Sequence, residues 1–528
     1  MSTHLFHDLI PAVGLLRGWR RLALALALSV ASLTVGCASL PPPVPRPDVH
    51  ALANPQTTEL GKLAIAAAPG PGLSGFRLLA SGEDALGSLA ALADNARHTL
   101  DLQYYLIHSD GSSLSLIRRV REAADRGVHV RLLLDDLNTA GQDRGLLRLT
   151  SHPNIEVRLY NPFPSGRLGT ISRVMASITD MARINHRMHN KMFVADNALA
   201  ITGGRNLGDA YFVQSPDSNF LDIDMIVAGP AVRALSATFD RFWNDPLAYP
   251  VTAVVDPANL IDQSGSDASP PTRPAIVPAV IPPTDFARDL PQGRLKLSWA
   301  RATVLADKPS KMLSEGQPTS TETIADDVER LIHSARQELI VISPYFVPGQ
   351  RGLALFQGLR DRGVKVRVLT NSLATTDAPA VHIGYARYRT QLLAMGVELH
   401  ELKPLLSARQ ASLGSFGSSH ASLHAKVVVL DRQVALVGSM NLDPRSAKLN
   451  SEMGVVMHSP EIAQQLADLF EEVSEDSYHL SLGGDGRQIL WTSTPPDSAL
   501  AGQSEPEAST WLKFGIKLLS PFAPEEML

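Results

Sequence analysis

An α/β fold built twice within one chain is predicted from three observations. The chain has 528 residues, more than one hydrophobic core usually supports. Proline-rich stretches set off two blocks, residues 71–251 and 295–485. Each block alternates apolar strand-like runs with amphipathic helix-like runs in the same order, the pattern of a sheet with helices on its faces.

From the N-terminus, Arg17, Arg20 and Arg21 precede an apolar run from Leu22 to Gly36 that ends at Cys37, the single cysteine of the chain. The fifteen residues of that run fall short of the ~20 needed to span a bilayer. A basic segment, a short apolar segment and a small residue before the cysteine read as a lipoprotein-type signal peptide over residues 1–36, with lipidation at Cys37. An ordinary secretory signal or a start-of-chain anchor is the plainer alternative, and Thr34 stands where the lipoprotein pattern prefers Leu. Ala38 and Ser39 lack the Asp that, by resemblance to such lipoproteins, would hold the chain in the inner membrane, so a bacterial-envelope lipoprotein facing the periplasm from the outer membrane is expected. Residues 37–70, with Pro41-Pro42-Pro43, Pro45 and Pro47, are expected to be an extended tether.

In the first block an apolar strand, Leu100 to Ile107, leads to a helix, Leu116 to Ala124, then Asp125-Arg126-Gly127 and a strand from Val128. The second block repeats this with Leu339 to Val347, Leu353 to Arg360, Asp361-Arg362-Gly363 and a strand from Val364. Residues 252–294 read as a proline-rich linker between the blocks and residues 486–528 as a C-terminal tail. Within that tail, Trp511 to Leu519 has apolar residues with Lys513 and Lys517 four apart; it reads either as a membrane-surface piece or as one docked on the body.

Each block ends in a strand–turn–strand unit carrying His-x-Lys-x-x-x-x-Asp. These are His189, Lys191 and Asp196 in the first, and His424, Lys426 and Asp431 in the second. In a strand, residues two apart share a side, so His and Lys form a chemical pair. Asp falls at the following turn, where such side chains bond local backbone. Asn206 and Asn441 each lie 17 residues after their histidine and close a Gly-x-x-Asn turn. A carboxylate opens the next apolar strand: Asp222, 33 residues after His189, and Glu452, 28 after His424, so the first block carries a longer loop.

A lone histidine in a strand is usually a satisfied core or surface residue, and His7, His98, His108, His186, His400 and His420 are read that way. Two matching sets in matching places call for another reading. One neutral imidazole can attack a phosphodiester phosphorus and form a phosphohistidine, while the other, protonated, protonates the leaving alkoxide and then activates the incoming alcohol or water. The lysines and asparagines would bind the phosphoryl oxygens, and Asp222 and Glu452 would each fix a histidine tautomer. Neither histidine has a second His, Cys or carboxylate at a zinc spacing, so no metal and no cofactor is expected. The formal net charge of −5, without a basic run, disfavours a sequence-independent nucleic-acid binder.

The paired His-x-Lys-x-x-x-x-Asp motifs, each followed by Gly-x-x-Asn, resemble the phospholipase D superfamily. Flanking segments narrow the resemblance to its cardiolipin-forming bacterial branch: Gln103-Tyr104-Tyr105, Leu134-Asp135-Asp136, Gly203-Gly204-Arg205-Asn206, Ser343-Pro344-Tyr345, Thr370-Asn371-Ser372 and Asp443-Pro444-Arg445-Ser446. The resemblance implies a duplicated α/β/α sandwich with the active site where the two repeats meet. It also implies phosphatidyl transfer to phosphatidylglycerol from phosphatidylethanolamine or a second phosphatidylglycerol, at a membrane surface and with no nucleic-acid partner. Ser439 joins the second half-site by the same resemblance, and the first-half histidine is the nucleophile. Gly204 stands where the second half has Ser439, so the halves need not contribute equally. Water as acceptor would make the same chemistry a phospholipase D; a nuclease and an inactive lipid-binding scaffold are the further alternatives.

Overall fold

The computed structural model describes residues 40, 42, 45–163, 180–255, 276–313, 323–405, 419–493 and 504–520. The expected signal peptide and Cys37 lie outside the described residues. Among the described residues, no helix is long and apolar enough to cross a membrane.

The first half supplies β1 (Ser74–Leu79), β2 (Thr99–Tyr104), β3 (His129–Asp135), β4 (Ile155–Tyr160), β5 (Met192–Ala195), β6 (Leu199–Gly203), β7 (Ser218–Leu221), β8 (Asp224–Ala228) and β9 (Ala248–Pro250). The second supplies β10 (Ser298–Ala306), β11 (Glu338–Ile342), β12 (Lys365–Asn371), β13 (Glu398–Leu402), β14 (His420–Leu423), β15 (Val427–Leu430), β16 (Val434–Gly438), β17 (Met453–His458), β18 (Tyr478–Leu482) and β19 (Ile489–Thr492). Leaving aside β7 and β14, the first half runs β9-β4-β3-β2-β5-β6-β8-β1 across its sheet. The second runs β10-β17-β16-β15-β11-β12-β13-β18-β19. The two orders mirror each other about β1 and β10, which pair antiparallel through Gly75 and Trp299, so one continuous 17-stranded sheet crosses both halves. A side chain at Gly75 would strike Leu297 and Trp299, and the bare backbone lets the two sheets close at this seam.

The β2–β3–β4 and β11–β12–β13 runs are parallel, because each strand returns through a helix. Strand residues alternate between two cores. Met192, Val194, Val427 and Val429 join one core, shared by the halves, with helices Pro230–Trp243 and Pro460–Glu475. Phe193 and Ala195 face a second core with helices Gly82–Asn95 and Gly111–Asp125, and Val428 and Leu430 face a third with helix Gly349–Asp361. This is the predicted duplicated α/β/α sandwich.

The free tether expected over residues 37–70 is corrected for its described part. Arg46 donates to the Asp245 carbonyl oxygen (2.6 Å), the Ala51 N–H donates to Asp240 (2.8 Å), and residues Glu59–Ala67 form a helix capped by Thr58. Apolar Leu60 and Ala64 bury themselves on the first half, which proline counting does not reveal. The expected tail likewise opens with β19, which extends the second sheet.

Candidate active site

Each histidine sits just ahead of a strand rather than inside one. Residues 189–191 precede β5 and residues 424–426 precede β15, which differs from the strand placement read from sequence. The reason is that their backbone N–H groups pair across the two halves instead of within a ladder. His189 N–H donates to the Ser451 carbonyl oxygen (2.9 Å), and His424 N–H donates to the Leu221 carbonyl oxygen (2.7 Å). Ser451 and Leu221 immediately precede Glu452 and Asp222, so each histidine is aligned on the opposite half's carboxylate.

The side chains complete this crossing. His189 Nδ1 donates to Glu452 Oε2 (2.9 Å), and His424 Nδ1 donates to Asp222 Oδ2 (2.5 Å). In each case a first-half group meets a second-half group, and both carboxylates are fully buried. A carboxylate on Nδ1 fixes the tautomer that leaves Nε2 for chemistry. The longer loop of the first half, noted in the sequence, folds as β7 and pairs parallel with β14, ending on Leu221 beside Leu423. That loop is what carries Asp222 to His424.

Asp135 and Asn371, the last residues of the matching strands β3 and β12, hold the residue before each histidine. Asp135 accepts from the Met188 N–H (2.8 Å); Asn371 accepts from the Leu423 N–H (2.8 Å) and donates to the Leu423 carbonyl oxygen (2.9 Å). Sequence reasoning missed both as site residues, although their place at the ends of equivalent strands was a usable signal. It also missed the rings around the imidazoles. Tyr105 lies edge-on to His189 at 5.0 Å, and Tyr211 and Phe220 each stand 5.2 Å from His424. Arg445 crosses between halves to the Asn185 carbonyl oxygen (2.9 Å).

Lys191 donates to the His189 carbonyl oxygen (2.7 Å), and Lys426 does the same to that of His424. Asn206 Nδ2 donates to the Tyr211 hydroxyl (3.0 Å), while the buried Oδ1 atoms of Asn206 and Asn441 find no partner among the described residues. Asp196 and Asp431 fall outside this cluster. Asp196 accepts from the N–H groups of Arg97, His98 and Thr99, and Asp431 from those of Arg336, Gln337 and Glu338. These bonds reach the segment ahead of β2 or β11, not the local turn that sequence spacing suggested.

Ser439 and Gly204 occupy equivalent places with different partners. Ser439 donates to Glu452 Oε2 (2.5 Å), whereas a Cβ at position 204 would stand 2.8 Å from Asp222 Cγ and collide with its oxygen. The sequence asymmetry is thus a matched set: serine supports the longer carboxylate, and glycine makes room for the shorter one.

Electrostatics separates the two pairs. Burial pushes the Asp222 carboxyl up, but the His424 imidazole, its hydrogen bond, Lys426 and Arg205 outweigh that and hold it at about 2. Burial pushes the Glu452 carboxyl up to about 7 against the pull of Lys191. His189 is held well below 6.5 by burial and by Lys191 and Lys426. His424 is lowered by burial and Lys426, while Asp222 opposes the fall. Burial also lowers both lysines, Lys426 to about 8. The site therefore holds a neutral imidazole beside one backed by a firm negative charge. Among the described residues, no cluster of His, Cys, Asp and Glu is arranged to hold a metal ion.

Comparison with known proteins places this geometry. A family model described as "Cardiolipin synthase, PLD-like domain" matches residues 89–243 and 328–474, one stretch in each half. Cardiolipin synthase C of Escherichia coli (strain K12) is 38% identical over 466 residues, covering 87% of this chain and 97% of that one. An uncharacterized protein of Helicobacter pylori (strain ATCC 700392 / 26695) is 31% identical over 484 residues, 90% of this chain and 94% of its own. The crystal structure of phosphatidylserine synthase from Haemophilus influenzae Rd KW20 shares the fold with a TM-score of 0.54 at 15% identity, covering 86% of this chain and 95% of that one. The chain belongs to the cardiolipin synthase, PLD-like domain family and carries that domain twice.

Proposed function

We propose that this chain transfers a phosphatidyl group from phosphatidylethanolamine or phosphatidylglycerol to a hydroxyl of phosphatidylglycerol, forming cardiolipin and releasing the donor's head-group alcohol. The observation that carries the reading is the pair of crossed histidine–carboxylate bonds at one interface. The 38% identity to a protein named cardiolipin synthase C supports the choice of product.

His189, kept neutral, is the nucleophile. Its Nε2 attacks phosphorus, a P–N bond forms, and the P–O bond to the head group breaks. The leaving alkoxide takes a proton from Nε2 of His424, whose imidazolium Asp222 stabilises. His424 then removes the proton from the phosphatidylglycerol hydroxyl; that oxygen attacks phosphorus, the P–N bond breaks, and His189 is released. Lys191, Lys426, Asn206 and Asn441 bind the non-bridging oxygens, the lysines leaving their carbonyl partners to do so. Ser439 supports Glu452, and Asp196 and Asp431 hold the loops behind the site.

The test is incubation of the purified chain with each radiolabelled donor lipid in turn, followed by lipid separation. Cardiolipin together with a phosphoenzyme absent from His189→Ala is expected. Phosphatidic acid without cardiolipin would sink the transfer reading, and nicking of plasmid DNA would favour a nuclease. For location, lipidation of Cys37 would hold the enzyme on the periplasmic face of the outer membrane. Metabolic labelling with palmitate, lost in Cys37→Ser, and membrane fractionation check this.

A further inference from the structure

Helix Thr510–Leu519 carries an apolar face that is exposed among the described residues. Trp511 is 83% exposed, Phe514 58% and Leu518 61%. They fall at i, i+3 and i+7, one stripe of a helix. Leu512 and Ile516, on the other side, are half-buried, and the helix packs on helix Pro379–Ala386. Three of the exposed large apolar residues gather on one stripe of this capped helix.

The helix is held in place from both ends. Ahead of it, Glu505 accepts from Arg389 (2.5 Å) and pairs with His382, and Glu507 accepts from the Tyr478 hydroxyl. Behind it, Arg387 donates to the Ser520 carbonyl oxygen (2.7 Å). The supporting helix Pro379–Ala386 begins two residues after Asp377, which accepts from the Tyr345 hydroxyl (2.9 Å) and whose charge acts on His424 and Lys426. The exposed stripe therefore rides on an element joined to the active site.

We propose that this helix is a membrane-contacting foot that lays Trp511, Phe514 and Leu518 into the surface of a bilayer containing anionic phospholipid. Lys513 and Lys517 are its only charged residues, in a chain of net charge −5, and they complement anionic head groups. Ten residues at 1.5 Å rise span ~15 Å, half of a ~30 Å hydrocarbon core, so the helix lies along the surface instead of crossing it. An aromatic pair at 6.4 Å suits the interfacial layer, where Trp is enriched. The role assigned to it, presenting the site to lipids in the bilayer plane, rests on the lipid-transfer reading above.

The experiment reconstitutes the full chain with vesicles of phosphatidylethanolamine and phosphatidylglycerol carrying brominated acyl chains, which quench tryptophan at short range. Wild type should lose a component of emission that Trp511→Phe lacks; this difference is independent of any N-terminal anchor. Equal quenching of the two overturns the proposal. So does equal quenching together with a wild-type dimer that Trp511→Ser/Phe514→Ser/Leu518→Ser converts to monomer, which would assign the face to a second copy of the chain. The triple variant should turn over vesicle lipid about tenfold more slowly or worse while matching wild type on short-chain, monomeric phospholipid. An equal loss on both lipid forms would overturn the presenting role. No cardiolipin from wild type in either form, with the Trp511 quenching intact, would instead sink the transfer reading and leave the foot standing.

Discussion

Asp222→Asn removes one charge from the site and almost no volume. Asn can still accept from His424 Nδ1, so the imidazole keeps its orientation and loses only the negative charge behind it. The fall of Asp222 from 3.8 to about 2, reached against the opposing push of burial, corresponds to about 2 kcal/mol of net stabilisation of its charged form. His424 is the largest contributor, ahead of Lys426 and Arg205. Removing the charge should therefore cost the His424 imidazolium ~1–2 kcal/mol, and slow transfer about five- to thirtyfold if that imidazolium is the general acid. The sign of the pH effect follows: His424 loses its proton more easily, so the alkaline limb of the rate profile moves to lower pH. Stability behaves separately. A carboxyl depressed on folding stabilises the protein above 3.8, and that contribution is lost as pH falls from 3.8 through about 2; the variant lacks it. Steady-state transfer across pH, with thermal melts in the same buffers, separates the two effects. A rate loss with an unmoved alkaline limb, or a loss below threefold, would refute Asp222 as the electrostatic partner of a proton-donating His424.

Gly204→Ser, which gives the first half the residue of the second, should displace the Asp222 carboxylate and cut transfer about as severely as Asp222→Asn, with a shifted carboxylate in the variant's crystal structure. Glu452→Gln should raise the melting temperature at pH 8 while lowering activity. Folding lifts this carboxyl from 4.5 to about 7, so its ionisation penalty sets in as pH rises through that window, and its removal is worth ~1–3 kcal/mol in alkaline buffer. Asp196→Ala loses the acceptor of three backbone N–H groups at a residue with φ +52°, and should destabilise by ~2–4 kcal/mol in urea titrations while the folded fraction keeps its KM.

The duplication was legible because helix, glycine stop and strand recur in the same order, and because His, Lys, Asp and Asn keep one spacing in both halves. Local periodicity encodes such features. The partner of each carboxylate was not legible. Asp222 lies 33 residues from His189 yet bonds His424, 202 residues away, and Glu452 passes over its own half to reach His189. Nothing in local sequence ranks those pairings; the meeting of two sheets at β1 and β10 decides them. The strand placement of His189 and His424 failed for the same reason, since their backbone donors serve the other half. Asp135 and Asn371 stood in segments that carry the family resemblance but were given no role, because only the chain returning beside each strand end shows what it holds.

The crossing has a consequence for how a duplicated site divides its work. Each half alone would present a histidine with no carboxylate on Nδ1, so neither half can set its own tautomer, and the chemistry exists only where both are folded together. The backbone half of the crossing is symmetric: each histidine N–H meets the carbonyl before the opposite carboxylate. A nucleophile and an acid must nevertheless differ, so the symmetry has to break in the side chains. It breaks where the carboxylates differ, Asp222 against Glu452, and at the pair of positions beside them. Glycine at 204 admits a short carboxylate held anionic against His424, while serine at 439 steadies a longer one that burial lifts to about 7 beside His189. The imidazole with firm negative charge behind it is suited to carry a proton, and the one without it to attack phosphorus. The carboxylates and the neighbours that fit them, glycine to the shorter and serine to the longer, distinguish two copies of one motif.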